Sequence, residues 1–276
     1  MRHTDLMTIH ANLRVAAQLI RNADSLNIGA GAGMGVDSGL PDFRGEHGFW
    51  KAYPALGKAG ISFYDAASPQ TFEENPRLAW GFYGHRLKLY RETTPHAGFG
   101  ILQDIAARLT YGAFVFTSNV DGQFQKAGFP AERIDECHGS IHYMQCLNAC
   151  APTTWPADDF DPEVDTDQCR LVSELPRCPA CDGIARPNIL MFGDWNWQAR
   201  RERLQAQAFA QWHQQIRKPV VIEIGAGTDI PSVRSFCELQ GAPLIRINPR
   251  ESALGRRPGV SLSMGALEAL KGIQSA

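Results

Sequence analysis

Short apolar runs alternate with helical segments along most of the chain, and this alternation constrains the fold more than any other feature. The apolar runs lie at residues 26–28, 113–117, 220–224 and 244–247, and each ends in glycine, asparagine or another small polar residue. Apolar residues at helical spacing fill the segments 6–21, 76–91, 96–109 and 201–216. The order predicts an α/β fold with a doubly wound, parallel, Rossmann-like sheet, whose ligands bind beyond the carboxyl ends of the strands.

Two stretches do not fit such a sheet. Residues 46–94 have a helical pattern interrupted by loops, and residues 147–187 are polar, rich in Pro and Asp, and bracketed by cysteines. They predict a smaller zinc-binding and helical lobe. We expect a Rossmann-like domain made of 1–45, 96–140 and 186–276, and a small domain made of 46–95 and 141–185.

Composition narrows the class of protein. A hydrophobic content of 44% suits a packed core, and a formal net charge of −2 gives no reason to expect nonspecific binding to nucleic acid or an anionic membrane. No apolar run approaches the roughly 18 to 20 residues of a membrane span, and the first residues lack the apolar block of a signal peptide. These features predict a cytoplasmic protein that recognises its partner through a defined site.

A glycine-rich turn, Gly29–Gly35, follows the first apolar run. Glycines permit positive φ and let backbone amides approach a pyrophosphate at a helix N-terminus. A surface loop without a ligand is the alternative. The spacing does not match an ordinary dehydrogenase, because Val36 stands where the third glycine should lie and no acidic residue ends a second strand about 20 residues on.

The continuation of this turn carries the first family resemblance. The segment from Gly31 to Gly45, which includes Asp42-Phe43-Arg44, resembles the sirtuin cofactor loop, with Gly35 in place of a serine. The resemblance implies NAD as co-substrate and Phe43 as the shield of its reacting carbon. It further implies a set of NAD contacts in this loop: Gly31, Ala32, Gly33, Asp42, Phe43 and Arg44. The alternative is a loop held by a pair between Asp42 and Arg44.

The end of the second apolar run resembles another sirtuin motif. Thr117-Ser-Asn-Val-Asp121 is similar to the family's T-Q-N-I-D, which implies that Ser118, Asn119 and Asp121 contact the ribose and the nicotinamide carboxamide. Ser118 replaces the family's glutamine, and Gln123 departs from the pattern as well. A turn without a ligand is the alternative.

His138 is the expected general base. Cys137-His-Gly-Ser140 resembles the family's H-G-S motif, and an imidazole with a pKa near 6.5 can accept a proton from a ribose hydroxyl at neutral pH. Asn119 is expected to assist it. Cys137 could instead be read as a nucleophile, but no feature of the sequence activates its thiol.

Two close cysteine pairs predict a metal site. Cys146-x3-Cys150 and Cys178-x2-Cys181 suit tetrahedral zinc with four sulfur ligands, so the metal should be structural. A redox role for Cys178 and Cys181 is the alternative. Cys169 could replace a ligand, whereas Cys237 reads as a buried helix residue.

Further motifs bear on the substrate side of the predicted site. Residues 187–194 resemble the family's acyl-lysine channel, which implies that Ile189, Leu190 and Phe192 line it. Residues 225–231 are similar to a phosphate and ribose loop, although one residue shorter. The cofactor contacts implied here and in the two C-terminal matches are Gly225, Gly227, Thr228, Asn248 and Ala266.

Tyr83 and Arg86 share a helix face and resemble the Tyr-x-x-Arg of sirtuins that remove succinyl, malonyl or glutaryl groups. A guanidinium beside a phenol suits a terminal carboxylate, which an acetyl group lacks. A solvated helix face is the alternative.

The resemblance runs from about Leu13 to Leu270. It implies an NAD-dependent protein-lysine deacylase, of the deacetylase or desuccinylase type, which acts on acylated protein or peptide and releases nicotinamide and O-acyl-ADP-ribose. Mono-ADP-ribosyl transfer, NAD hydrolysis and a silent NAD-binding module stay open. A zinc-ribbon nucleic-acid binder is disfavoured, because residues 147–177 are acidic overall.

Overall fold

A six-stranded parallel sheet forms the centre of the larger part of the molecule. The computed structural model describes residues 3–42 and 45–276. The strands in these ranges are β1 (Ser25–Ala30), β2 (Ala113–Thr117), β3 (Ile134–Glu136), β4 (Gly139–Cys146), β5 (Thr154–Pro156), β6 (Val164–Asp165), β7 (Arg170–Leu171), β8 (Ala185–Ile189), β9 (Pro219–Ile224), β10 (Leu244–Ile247) and β11 (Gly259–Leu262). The large sheet has the order β11-β10-β9-β1-β2-β3. Its order reverses between β1 and β9, which opens a crevice at the carboxyl ends of these strands.

Helices cover both faces of this sheet. The α-helices of the described residues are α1 (His3–Arg21), α2 (Gly45–Ala52), α3 (Pro54–Lys58), α4 (Phe63–Ala66), α5 (Pro69–Glu74), α6 (Pro76–Glu92), α7 (Ala97–Ala106), α8 (Gln123–Lys126), α9 (Arg200–His213), α10 (Ser232–Leu239) and α11 (Ala266–Ser275). The helices α1, α7 and α11 pack together on one face, while α9 and α10 pack against strands on the other.

The central strands are apolar because both of their faces are covered. Leu26 and Ile28 of β1 and Ile222 of β9 have no exposed surface. Burial of three such side chains contributes roughly 5 to 9 kcal/mol before the entropy of folding is counted. The strands therefore form a rigid base for the loops that follow them.

The smaller lobe combines helices α2 to α6 with a three-stranded antiparallel sheet of order β5-β4-β8. Its core is aromatic, and Phe49 and Phe82 pack edge to face with ring centroids 5.7 Å apart. Trp80 is buried and donates from Nε1 to the carbonyl oxygen of Ala185, which joins α6 to β8. The domain boundaries predicted above divide β4 after Ser140 and β8 after Ala185, although the two strands pair within this one small sheet, and those boundaries stay a proposal.

The predicted sheet class is confirmed, and the predicted elements differ in detail. The strands predicted at 113–117 and 244–247 have those bounds, but the helix predicted at 96–109 ends at Ala106, because Arg108 and Leu109 donate to carbonyl oxygens three residues back and the chain goes on as turns up to β2. Strands β3 and β11 and helix α11 were not predicted, and α10 was expected only through Cys237, which was interpreted as a buried helix residue. Among the described helices, none combines the length and the apolar character that a membrane crossing requires.

Candidate active site

A cavity of about 810 Å³ lies at the carboxyl ends of the large sheet. Residues that follow four different strands line it: Gly31 after β1, Asn119 after β2, His138 after β3 and Gly225 after β9. Parallel strands place all these positions at one edge of the sheet, so their proximity follows from the topology. The small lobe supplies the opposite wall.

Two glycine turns form the floor of this cavity through backbone contact. The Gly33 N–H donates to the carbonyl oxygen of Gly225 at 3.1 Å, and a Cβ on Gly33 would lie only 2.6 Å from the Gly225 Cα. Gly31, Ala32, Gly225 and Gly227 line the cavity. Gly33, expected to contact the cofactor, packs against Gly225 behind this surface.

The segment after the first turn differs from the expected helix N-terminus. Two short 3₁₀ helices follow, Ala32–Met34 and Val36–Ser38, with Gly39 in the left-handed region at φ 86°. A 3₁₀ turn of three residues aligns few peptide dipoles, so it attracts an anion less than a full α-helix does. Backbone amides and side chains therefore contribute more of any phosphate binding here than was expected.

Asn119 is fixed by the strand ends around it. Its Nδ2 donates to the carbonyl oxygen of Gly31 at 3.0 Å, and its backbone N–H donates to Thr117 Oγ1 at 3.0 Å. The Thr117 hydroxyl in turn donates to the carbonyl oxygen of Ala30 at 2.8 Å. Asn119 therefore links the two predicted cofactor segments, and Ser118 lines the cavity beside it.

Asp121 is a buried carboxylate in the cavity wall. Burial raises its pKa to about 6, although the hydrogen bond that its Oδ1 accepts from the Gln123 N–H at 2.9 Å opposes the rise. The positive charge of Arg86 also favours the ionised form. Asp121 is thus a charged acceptor at neutral pH and becomes neutral in mild acid.

His138 lies in the tight turn between β3 and β4. Burial lowers the pKa of His138 below the ordinary 6.5, and a hydrogen bond with the Ser118 backbone opposes this shift. Its Nε2 lies 3.2 Å from Ser232 Oγ. A neutral imidazole on a cavity wall can accept a proton, which is what a general base requires.

Cys137, next to His138 in the chain, has a thiol that is not activated. Burial raises the pKa of its thiol far above the usual range, and the nearby Asp135 carboxylate raises it further. The thiol therefore stays protonated at neutral pH, and a nucleophilic role for Cys137 finds no support in its environment.

Tyr83 and Arg86 lie on the wall contributed by α6. Both are buried and line the cavity. Arg86 donates from Nε and Nη2 to the Tyr90 hydroxyl at 2.9 and 2.8 Å, and its guanidinium lies 5.1 Å from the centre of the Phe82 ring. Burial raises the pKa of Tyr83 to about 12, so its phenol stays protonated. The solvated helix face considered above is therefore wrong.

Ile189, Leu190 and Phe192 also line the cavity. The Leu190 N–H donates to the carbonyl oxygen of His138 at 2.9 Å, so the predicted acyl channel begins beside the predicted base. Sequence reasoning missed further lining residues, namely Phe63, Tyr90, Trp195, Ile230 and Val233. Of these, only Tyr90 could have been predicted from the sequence, because it lies four residues after Arg86 and so shares its helix face.

Several predicted cofactor residues lie elsewhere. Thr228, Asn248 and Ala266 are not among the residues that line the cavity. The Asn248 side chain donates to the carbonyl oxygen of Ala226 at 2.9 Å and accepts from two backbone N–H groups at 3.0 Å, so it stabilises the loop after β9.

Asp42 of the predicted cofactor loop lines the cavity, and its carboxylate lies 3.4 Å from the Arg250 guanidinium. Phe43 and Arg44 lie outside the described residues.

The four paired cysteines form one cluster. The sulfur atoms of Cys146, Cys150, Cys178 and Cys181 all lie within 4.8 Å of one another, with 3.7 Å between Cys146 and Cys181 and 3.5 Å between Cys150 and Cys178. Zn–S bonds of about 2.3 Å in a tetrahedron separate sulfurs by roughly 3.8 Å, so the cluster fits zinc. Cys169 is not part of this group of ligands, and Cys237 is buried in α10 as predicted.

Comparisons with known proteins point to one family. The model of the Sir2 family matches residues 31–227. An NAD-dependent protein deacylase of Thermus thermophilus is 27% identical over 94% of this chain and 92% of the relative. NAD-dependent protein deacylase 2 of Pseudomonas aeruginosa is 26% identical over 98% of both chains. A Sir2 homologue solved as an NAD complex matches with a TM-score of 0.68 at 21% identity, covering 94% of this chain and 91% of that chain, which indicates the same fold.

Proposed function

The chain belongs to the Sir2 family, and from this premise we propose that it is an NAD-dependent protein-lysine deacylase. The observation that carries the proposal is the convergence of Gly31, Asn119, Asp121 and His138 on one cavity. Relatives that match nearly the whole chain are named NAD-dependent protein deacylases. The cytoplasm, where cysteine pairs stay reduced and available to zinc, is the proposed compartment.

The described residues fit NAD as a co-substrate. The cavity volume of about 810 Å³ lies within the usual range of cofactor sites, roughly 300 to 1,000 Å³. We assign the phosphate side to the Gly31 and Gly225 turns, and the ribose and nicotinamide side to Ser118, Asn119 and Asp121. When bound, NAD supplies the electrophilic ribose carbon and the nicotinamide leaving group.

His138 acts as the proton acceptor in this proposal. Because burial lowers its pKa, the imidazole is neutral at pH 7 and can take a proton from a hydroxyl in the cavity. Asn119 holds the Gly31 turn against the end of β2 and so fixes the position of the cofactor-binding turn relative to His138. The apolar side chains of Ile189 and Phe192 exclude water from the acyl-lysine stem.

We further propose that the acyl group preferred over acetyl is one that ends in a carboxylate. Arg86 places a buried guanidinium on the cavity wall, and the protonated Tyr83 phenol lies on the same wall. Tyr90 fixes the guanidinium through two hydrogen bonds, so its orientation is set before the substrate binds. A charge-assisted pair in a cavity of this kind stabilises a succinyl, malonyl or glutaryl group more than an acetyl group.

Zinc is proposed as a structural ion held by the four clustered cysteines. Sulfur occupies all four ligand positions, so the metal has no open position for a reacting water. Its contribution is to the fold of the small lobe.

A panel of acyl peptides tests the proposed function. The protein is incubated with NAD and acetyl-, succinyl-, malonyl- or glutaryl-lysine peptides, and the products are identified by mass. We expect deacylated peptide with equal amounts of nicotinamide and O-acyl-ADP-ribose, formed fastest from the acidic acyl groups. ADP-ribose formed without peptide, or an ADP-ribosylated protein, would favour the hydrolase or transferase alternative instead.

A further inference from the structure

Large apolar side chains are exposed around the mouth of the cavity. Among the described residues, ten large hydrophobic side chains are exposed, and three of these, Leu190, Trp195 and Ile230, line the cavity. A fourth, Tyr64, stacks on Phe192 with ring centroids 4.5 Å apart. Single exposed apolar residues need no explanation, but a group of them around a cavity marks an interaction site.

Trp195 is the most exposed member of this group, at 96%. It belongs to the turn that follows β8, which we call the Trp195 turn (residues 190–198). The group at the mouth therefore presents an indole to solvent beside the entrance to the cavity.

Buried side chains hold the backbone of the Trp195 turn in place through hydrogen bonds. Asp194 accepts from the Arg186 guanidinium at 2.8 Å, and both side chains are fully buried. The Asn196 N–H donates to Asp194 Oδ1 at 3.2 Å, and the Gln145 side chain donates to the carbonyl oxygen of Asn196 at 2.9 Å. The residues on both sides of Trp195 are thus anchored while its ring is exposed.

An anchored, exposed aromatic ring is suited to binding. Ordering a flexible loop costs binding free energy, and that cost is small where the backbone is already fixed. Tryptophan is also one of the residue types enriched among the side chains that dominate the binding energy of interfaces. The Trp195 turn therefore has the properties of a prepared contact point.

The position of the turn indicates what it contacts. Trp195 and Leu190 come from the residues after β8, and Ile230 comes from the loop after β9. An acyl-lysine that reaches His138 carries its polypeptide past this mouth, so side chains near the lysine meet these three residues. A second copy of the chain on the same surface would close the entrance.

We propose that Trp195, with Leu190 and Ile230, binds an aromatic or large aliphatic side chain close to the acyl-lysine of the substrate polypeptide. This inference rests on the proposed function and adds a preference for the flanking sequence. Trp195 is then a specificity-determining residue that acts through the polypeptide and not through the acyl group.

A flanking-residue scan tests the inference. The substrates are glycine–serine peptides with one succinyl-lysine, in which a single Phe or Ser occupies in turn each of the two positions before and after the lysine. At one or more positions we expect Phe to lower KM about tenfold relative to Ser, with a smaller change in kcat. In Trp195→Ala the KM advantage of Phe over Ser should fall below about twofold. Leu239→Ala, which removes another strongly exposed apolar residue, at the end of α10, should retain the advantage.

Binding of the same peptides, measured by calorimetry in the presence of ADP-ribose, separates this inference from the proposed function. If no peptide is deacylated, the proposed function fails, but tighter binding of the Phe peptide to wild type than to Trp195→Ala still supports the contact. Equal affinity for the Phe and Ser peptides at every position, or a gain that persists in Trp195→Ala, would overturn it. Loss of self-association in Trp195→Ala without any change in peptide affinity would point to a second copy of the chain and would overturn it as well.

Discussion

The two walls of the cavity are built in different ways. The sheet side consists of turns that follow β1, β2, β3 and β9, and its geometry depends on backbone contacts such as that between Gly33 and Gly225. The small-lobe side consists of long side chains, among them Tyr83, Arg86 and Phe192, supported by an aromatic core. We propose that the sheet side carries the cofactor binding and proton transfer common to every acyl group, and that the small-lobe side selects the acyl group.

Removal of a zinc ligand should have the largest effect, and it should fall on the small lobe. Cys178→Ser leaves three sulfur ligands, so we expect loss of bound zinc and unfolding of the segment around residues 146–185, while the large sheet persists. Metal analysis measures the bound zinc, and hydrogen exchange measures the unfolding of residues 146–185 separately from that of the large sheet. Cys169→Ala is the matched control, because Cys169 is buried outside the cluster and its loss should leave one zinc per chain. Zinc bound to Cys178→Ser with the wild-type affinity would show that the cluster is not the metal site.

A methyl group on the sheet side should break the contact between the glycine turns. Gly225 has φ +61°, and a Cβ there would lie 2.4 Å from the Gly33 Cα. Gly225→Ala should therefore lower the free energy of unfolding by about 2 to 3 kcal/mol and weaken NAD binding.

Gly227→Ala is the control for that change, because a Cβ at Gly227 meets no atom within 4 Å. Denaturant titration of both variants measures the difference. Equal stability of the two would mean that the close approach of the turns does not hold the cavity floor together.

A change on the small-lobe side should alter specificity and leave the sheet side intact. Arg86→Met removes the guanidinium, and we expect kcat/KM for a succinyl-lysine peptide to fall roughly 10- to 100-fold, with a much smaller change for the acetyl-lysine peptide. Arg86→Lys keeps the charge but not the planar fork, so it should give an intermediate loss. A similar loss for both peptides would assign Arg86 to the fold of α6 and not to acyl selection.

The pH dependence should report the two titratable groups of the sheet side. The pKa of His138 lies below 6.5, so the base stays neutral at pH 7 and becomes protonated as the pH falls through that lower value. Asp121 loses its charge as the pH falls through about 6, the pKa to which burial raises it. We expect kcat/KM to fall below about pH 6 and to approach a slope of two protons once the pH lies below both pKa values. Asp121→Asn should reduce the slope to one proton, and an unchanged slope would remove Asp121 from the profile.

The sequence located residues of both cavity walls where a local motif places them, and it failed where packing between distant segments decides the contact. Strand ends place Asn119, Asp121 and His138 at one edge of the sheet once the strand order is known, so local patterns were sufficient there. Tyr90 was missed although it lies one helical turn after Arg86, and Trp195 was missed because its place at the cavity depends on packing between distant segments. The expected contacts of Gly33 and Asn248 differ for the same reason, since each is occupied by a partner that is remote in sequence.

Product analysis with a matched variant tests the central claim most directly, namely that His138 and the sheet-side turns carry an NAD-dependent deacylation. Wild-type protein and His138→Ala are incubated with NAD and a succinyl-lysine peptide, and nicotinamide, deacylated peptide and O-succinyl-ADP-ribose are quantified by mass. We predict equal amounts of the three products from the wild type, and a rate at least about 100-fold lower from His138→Ala with NAD binding retained. Formation of O-succinyl-ADP-ribose by His138→Ala at the wild-type rate would contradict the account.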